Sequence, residues 1–402
     1  MAVKAGARPG ARRHFLASGV ALAGATVAIP HIAVAQTPFR ALGIVNVKDY
    51  GAIGNFITDD TLAVQAAIDA AFGPASSPNG VAEVAQNKIL HFPPGRYRTT
   101  APLNFTHLVG SRIVGSGRFV TTIENSTPNQ SVIVTNGCAY THWEGLRLKG
   151  SGSSRLFDLN WDGSAGGAAL QSNNFTDIFF DSGHIGIEIG RGGFMGSENL
   201  FLNCFWLLNS RAGLLTSNYN ALQNTVTGGN FQTCGVGIWI GTGSVTSVQS
   251  VGFQQSVDYD IRSDGSVGNC TVITGCRSES VNFVRTVQDA DLSGCTHTTA
   301  SGKLGDFVYC LGGNVVVSAC MTNYGRIHAS FGSRLRIQES TFKRPDWLFA
   351  DQLWSVPQNV LNAVIELENV SLYVGSSYSQ ILRRRLTAAG AFEYALTKST
   401  EG

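Results

Sequence analysis

An all-β solenoid is the fold class this sequence predicts, and a repeat and a composition predict it. From Asn174 to Arg344 the chain alternates a short β-rich run, a step of small residues, and an aromatic or polar residue. The unit reads Leu202-Asn203-Cys204-Phe205, Gly228-Gly229-Asn230-Phe231, Val251-Gly252-Phe253, Thr274-Gly275-Cys276-Arg277, Ser293-Gly294-Cys295-Thr296, Ala319-Cys320-Met321 and Ser340-Thr341-Phe342. Aligned on Phe205, Phe231, Phe253, Arg277, Thr296, Met321 and Phe342, its steps are 26, 22, 24, 19, 25 and 21 residues. A loose period in the twenties without helical periodicity is what stacked β-coils produce. The 47 glycines suit tight turns, 43% hydrophobic residues are ample for a core, and 14% charged residues are too few for a disordered chain. Solenoids grow by adding coils, so 402 residues need not mean several domains.

Residues 1–35 read as a targeting segment. Arg12-Arg13-His14-Phe15-Leu16 precedes the apolar stretch Val20 to Ile29 and an exit at Ala33-Val34-Ala35. A basic start, a short apolar run and an A-x-A exit describe a secretory signal. The adjacent arginines are similar to a twin-arginine signal, with Ala11 where Ser or Thr is usual. The apolar run is too short and too broken to span a bilayer. The expected mature chain starts near Gln36 and is periplasmic or secreted, without stable membrane insertion.

The segment 36–105 holds a first coil and a cap. Val45-Asn46-Val47 reads as a strand, closed by the turn at Gly51. Thr58 is the expected N-cap of a helix over Leu62 to Phe72, with Asp59 and Asp60 in its first turn. Val64, Ala67, Ile68 and Ala71 form its apolar stripe. Lys88 to Phe92 reads as a strand ending in the turn Pro93-Pro94-Gly95.

The order V-x-D-Y-G-A, T-D-D-T-x-A-x-Q-A-A-I-D-A-A and F-P-P-G-x-Y between Val45 and Tyr97 resembles the N-terminal signature of the pectate-lyase superfamily. That resemblance implies a single-stranded right-handed parallel β-helix whose cap helix shields one end. It implies the reaction only loosely, since the family includes lyases, glycoside hydrolases, epimerases and phage tailspikes.

Further along, Leu108 to Ile123 and Val132 to Leu148 read as early coils, and Gly150 to Gly167 as a looser excursion. Coils fill 106–344, and 345–402 supply last strands, including Val364 to Leu367 and Val370 to Val374, and a C-terminal cap or tail. Cys204, Cys276, Cys295 and Cys320 fall at one step of the repeat and are expected to stack inside as small apolar residues. No Cys/His spacing supports zinc.

Residues one period apart become neighbours on one face, about 4.8 Å apart. Glycosidic hydrolysis needs two carboxylates within roughly 5 to 9.5 Å. One candidate cluster is Asp177, Asp181, His184, Glu188 and Glu198, with Arg191 and Arg211 nearby. Asp177 and Glu198 lie nearly one coil apart and are expected to pair on adjacent rungs. Tyr219, Asn220 and Gln223 follow as stacking and hydrogen-bonding groups. A second cluster is Arg277, Ser278 and Glu279, with Asp258 or Asp260 as partner. The repeat phase puts Trp206, Gln232, Gln254, Ser278, His297 and Thr322 in one outward polar column, and Thr233, Gln255, Glu279, Thr298 and Asn323 in the next. Trp161, Trp206 and Trp239 are candidate sugar platforms, with Asp158 and Asp162 flanking Trp161 in the excursion.

The expected function is therefore an exported polysaccharide-active enzyme, a glycoside hydrolase using Glu198, Asp177, Asp181 or Glu279. The alternatives are a uronate-directed lyase, with Arg211 or Arg277 as cation and His184 or Tyr219 as base, and a non-catalytic carbohydrate-binding β-helix. Substrate contacts are expected from Arg211, Tyr219, Asn220, Gln223, Trp239, Arg277 and His184. The polygalacturonase-type motifs are not reproduced, and no acidic pattern calls for calcium, so no cofactor is implied. No basic run interleaved with aromatics suggests nucleic acid. Self-association into a homo-oligomer stays open.

Overall fold

A computed structural model describes residues 43–73, 88–163, 171–191, 194–265, 270–299, 305–323, 325–329, 333–343, 364–368, 370–374, 377–378, 381–386 and 392–397. The expected signal segment lies outside them. Short strands follow one another around a coil, as in Ile133–Ala139, His142–Glu144, Arg147–Lys149 and Arg155–Leu159. Through Ser371–Val374 each strand pairs in parallel with its counterpart one coil on, which builds three sheets: sheet A of 13 strands, sheet B of 14 and sheet C of 10. Ser377–Tyr378 adds to the end of sheet B antiparallel, and Ile381–Leu386 and Phe392–Thr397 form a separate antiparallel pair. With the right-handed crossover that parallel strands impose, this is a right-handed parallel β-helix.

The helix α1 spans Thr61–Phe72 and buries Val64, Ala67, Ile68, Ala71 and Phe72. The N-cap position is Asp60, not Thr58. Its carboxylate caps no helix N–H; it is buried and accepts from the amides of Ile53 and Gly54 at 2.7 and 3.0 Å, which fixes the preceding turn.

Each sheet sends one unbroken column of side chains into the interior. In sheet A the register stacks Trp143, Phe175, Phe201, Val226, Val248, Ile273, Leu292 and Val317. In sheet C it stacks Phe157, Ile187, Leu214, Ile238, Ile261, Val284, Val308 and Ile327. In sheet B the column is Phe180, Trp206, Phe231, Phe253, Ser278, His297, Thr322 and Phe342. The rings of Trp206 and Phe231 stack with centroids 4.1 Å apart and planes nearly parallel. Burying each such ring contributes about 1.5–3 kcal/mol.

This register corrects the phase expected from sequence. Phe205 aligns with Asn230, not Phe231, and continues through Gly252, Arg277, Thr296 and Met321. A one-residue slip exchanges the two faces of a strand. Trp206, Ser278, His297 and Thr322 are therefore buried rather than part of an outward ridge, and Trp206 is no sugar platform. The outward ridge on sheet B is Leu207, Gln232, Gln254, Glu279, Thr298 and Asn323.

The turn from sheet A to sheet B sends Ile178, Cys204, Gly229, Val251, Cys276, Cys295, Cys320 and Ser340 inward, so the cysteines stack inside the coil as expected. Gly229 is the exception that proves informative. It has φ +82, and a Cβ there would lie 1.9 Å from the Cys204 carbonyl oxygen. Gly229→Ala is expected to cost at least about 2 kcal/mol, through left-handed strain and backbone displacement, and a lowered thermal midpoint checks this. At the turn from sheet C to sheet A, Asn173, Asn199 and Asn224 form a buried ladder, each amide nitrogen donating to the next Oδ1 at 2.9 and 2.8 Å.

Three rungs depart from the apolar interior. Where Ser278, His297 and Thr322 replace aromatics, Phe283 and Phe307 fill the space from beside sheet C. Asp260 points into the same region and accepts from Ser278 Oγ at 2.5 Å. Burial pushes the Asp260 carboxyl up to about 7 and the His297 imidazole down to about 4.

Candidate functional site

The outer face of sheet C gathers most of the chemistry. Strand Arg155–Leu159 stands where the sequence suggested a loose excursion. Its Asp158 pairs in register with Glu188 of strand Ile185–Ile189. The outward column continues through Leu215, Trp239, Arg262, Arg285, Tyr309 and His328. Neighbouring members are about 4.8 Å apart at the backbone.

Asp158 and Glu188 are both nearly buried, yet each is anchored differently. Arg191 Nη1 lies 2.9 Å from Asp158 Oδ2, while Asp158 Oδ1 has no hydrogen-bond partner among the described residues. Glu188 is paired with Arg155 and accepts from Ser217 Oγ at 2.7 Å. Burial raises the Asp158 carboxyl above its ordinary value, and the Glu188 charge adds to that, against the pull of Arg191 and Arg155. Two adjacent carboxyls in unlike surroundings are suited to different protonation states.

Loops at both ends of these strands wall the pair. On the side leading to sheet A, Trp161 meets Phe194 edge to face at 5.9 Å, and Phe194 is 51% exposed. Asn220 Nδ2 donates to the Phe194 carbonyl, and Tyr219 beside it is 68% exposed. On the side leading from sheet B, His184 Nδ1 lies 2.9 Å from Ser210 Oγ. Burial, Arg211 and Arg155 hold the His184 imidazole below its ordinary value, so it is neutral at pH 7. Arg211 has no carboxylate partner among the described residues; its guanidinium lies 5.0 Å from the Trp239 ring centre.

Trp239 is less open than a platform. Arg262 takes a second position 4.7 Å from its ring, and the indole N–H donates to Asp264 Oδ2 at 2.9 Å. Arg262 also pairs with Asp258 and Asp264, which Arg285 joins. Beyond it, Asp306 accepts from Tyr259 at 2.6 Å and pairs with Arg326.

The four acids expected to be catalytic are not brought together. Thr176 pairs with Leu202, which places Asp177 level with Asn203 at the turn into sheet B, where it meets Arg118 at 3.2 Å. Glu198 precedes sheet A, level with Ser172, and accepts from Ser172 Oγ at 2.6 Å. The two are about five residues apart along a rung, on the order of 15 Å, so they form no close pair. Asp181 lies on the outer face of sheet B, paired with Arg147, and Ser182 Oγ donates to it at 2.8 Å. Glu279 lies farther along that face, paired with exposed Arg277. Asp260 is inside the coil, and Gln223 is exposed at the corner before sheet A. Of the expected residues, Glu188 is one of the pair and Arg191 is the ion-pair partner of Asp158. Trp239 lies two coils on in the same outward column, Arg211 lies against Trp239, His184 leads into the Glu188 strand, and Tyr219 and Asn220 lie in the loop against Phe194. Sequence reasoning missed the pair itself; the signal was Arg155-Leu156-Phe157-Asp158 and Glu188-Ile189-Gly190-Arg191, each acid three residues from an arginine.

Among the described residues no group of three or more His, Cys, Asp or Glu side chains is arranged to hold a metal ion, and no helix is long and apolar enough to cross a membrane.

Residues 44–272, more than half of the chain, match the family described as rhamnogalacturonase A/epimerase, pectate lyase-like. No curated protein sequence matches the chain. Among solved structures, the ORF18 protein of Geobacillus virus E2 is similar with a TM-score of 0.53 at 13% identity, over 86% of this chain and 67% of that one. The Dettilon tailspike protein gp208 gives 0.47 at 13% identity, over 84% and 69%. The A-module of the Azotobacter vinelandii mannuronan C-5 epimerase AlgE6 gives 0.45 at 15% identity, over 82% and 96%. At these identities the first likeness speaks for the fold alone.

Proposed function

Because the chain belongs to the rhamnogalacturonase A/epimerase, pectate lyase-like family, we propose that it acts on a polysaccharide, hydrolysing a glycosidic bond between Asp158 and Glu188. The observation that carries this reading is the in-register pairing of the two acids. In-register residues on adjacent strands are about 4.8 Å apart at the backbone, which puts both side chains on one face within reach of a single glycosidic bond, as a two-carboxylate mechanism requires. Asp158, whose carboxyl is held protonated to higher pH, gives its proton to the leaving oxygen. Glu188, paired with Arg155 and oriented by the Ser217 hydroxyl, attacks the anomeric carbon. Asp158 then takes a proton from the water that releases the sugar. Phe194, Tyr219 and Asn220 are placed to stack on and hydrogen-bond a sugar at one wall.

A second reading rests on neutral His184 beside the uncommitted Arg211. Proton abstraction from a uronate by His184, with Arg211 neutralising its carboxylate, gives β-elimination at the same face. Residues 1–35 are proposed as the export signal of this enzyme. Incubation with a panel of neutral and uronate-containing polysaccharides separates the readings. Hydrolysis yields new reducing ends without the ultraviolet absorbance of an unsaturated uronate; that absorbance would overturn hydrolysis in favour of elimination.

A further inference from the structure

Cys276, Cys295 and Cys320 occupy one inward position on three consecutive coils, each just before residues that pair in register, Arg277 with Thr296 and Thr296 with Met321. Stacked positions are about 4.8 Å apart at the backbone, inside the roughly 4.4–6.8 Å span a disulfide requires between Cα atoms. The Cys295 amide donates to Cys320 Sγ at 3.4 Å, and among the described residues each of the three thiols otherwise meets only backbone carbonyls, so no other side chain stands between them. Cys276 and Cys320 are two coils apart, about 9.6 Å, which is beyond bridging distance. Cys204, in the same column, is separated from Cys276 by Gly229 and Val251, so it has no partner.

We propose that Cys295 forms an inter-coil disulfide with either Cys276 or Cys320, one at a time, and so staples the coils whose interior is polar. These are the rungs where Ser278, His297 and Thr322 interrupt the aromatic stack. A bridge there closes a loop of 19 or 25 residues and restricts the unfolded chain at its least apolar segment. With glutathione disulfide as oxidant, a cysteine thiolate attacks one glutathione sulfur and expels a glutathione thiolate. The neighbouring cysteine thiolate then attacks the mixed disulfide and expels the second. Two cysteine S–H bonds are exchanged for one S–S bond, and one glutathione disulfide becomes two glutathiones. All three thiols are buried in the folded coil, so the exchange belongs to folding rather than to the finished surface.

The test refolds the full chain in a glutathione redox buffer, alkylates it under denaturing conditions and maps links by tandem mass spectrometry. Natively folded chain recovered from an oxidising compartment is mapped in parallel. The expected links are Cys295 to Cys276 and Cys295 to Cys320, never Cys276 to Cys320. Cys276→Ala moves the link wholly to Cys320, and Cys295→Ala abolishes it. Reduction lowers the unfolding midpoint of the parent by a few degrees and leaves that of Cys295→Ala unchanged. Complete alkylation of all three cysteines in both folded samples, or a dominant Cys276–Cys320 link, would overturn the proposal.

Discussion

Asp158→Asn is expected to lower turnover by at least about a hundredfold while leaving saccharide binding intact, as removal of a general acid does. The amide keeps the shape and the Arg191 contact but has no proton of the right acidity to give. Glu188→Gln is expected to lose as much, because the amide cannot attack the anomeric carbon. The pH profile separates the two roles. In the proposed hydrolysis Asp158 works protonated, and burial raises its carboxyl. In the parent, kcat/KM therefore falls on the alkaline side as pH rises through that raised value. The residual activity of Asp158→Asn lacks this alkaline limb. Circular dichroism of both variants guards against misfolding, since Glu188→Gln leaves Arg155 without its carboxylate. Loss of binding together with turnover would instead mark the acids as structural ion-pair partners.

Asp260→Asn is expected to stabilise the protein at neutral and alkaline pH. The folded carboxyl titrates at about 7, against roughly 3.9 for an unfolded aspartate. The unfolded chain therefore ionises first, and stability is full below about 4, falls as pH rises to about 7, and is flat above. The size is on the order of 4 kcal/mol. His297, lowered to about 4, acts oppositely: its unfolded form binds a proton near 6.5, so it adds stability as pH rises from about 4 to about 6.5. The two trends overlap and partly cancel in the parent. Subtracting the parent's unfolding free energy from that of Asp260→Asn at each pH isolates Asp260. That difference is expected to grow from near zero at pH 4 to about 2–4 kcal/mol at pH 8. A difference independent of pH would mean that Asp260 does not change charge inside the coil.

How far the sequence was legible depends on which regularity each element obeys. The N-terminal segment was plain because strand, helix α1 and the Pro-Gly turn each carry local signals that tertiary packing leaves intact. The coils were plain as a repeat but not in phase. Phe179 and Phe205 face outward, meeting edge to face at 5.0 Å, with Phe119 laid against Phe179 at 5.9 Å. Aromatics thus stand on both sides of sheet B, and matching Phe231 to Phe205 slips the register by one residue. The buried Ser278, His297 and Thr322 made the slip attractive, since polar residues are expected outside.

The acid pair was hidden by the same dependence on period. Asp158 and Glu188 are 30 residues apart, beyond the steps of the repeat, because the intervening loop lengthens that coil. Gly- and Ser-rich flanks disguised the strand Arg155–Leu159 as an excursion. Asp177 and Glu198, by contrast, matched the period in number while standing on different corners of the coil. Spacing alone cannot tell which of three faces a residue joins; only the pairing of the strands does.

One comparison of turnover tests the location of the site most directly: Asp158→Asn, Glu188→Gln, Asp181→Asn, Glu198→Gln and Glu279→Gln on one polysaccharide substrate under identical conditions. Activity should collapse in the first two and stay within about threefold of the parent in the others. Retained activity in Asp158→Asn and Glu188→Gln, with collapse in Asp181→Asn, Glu198→Gln or Glu279→Gln, would place the chemistry on another face and contradict the account.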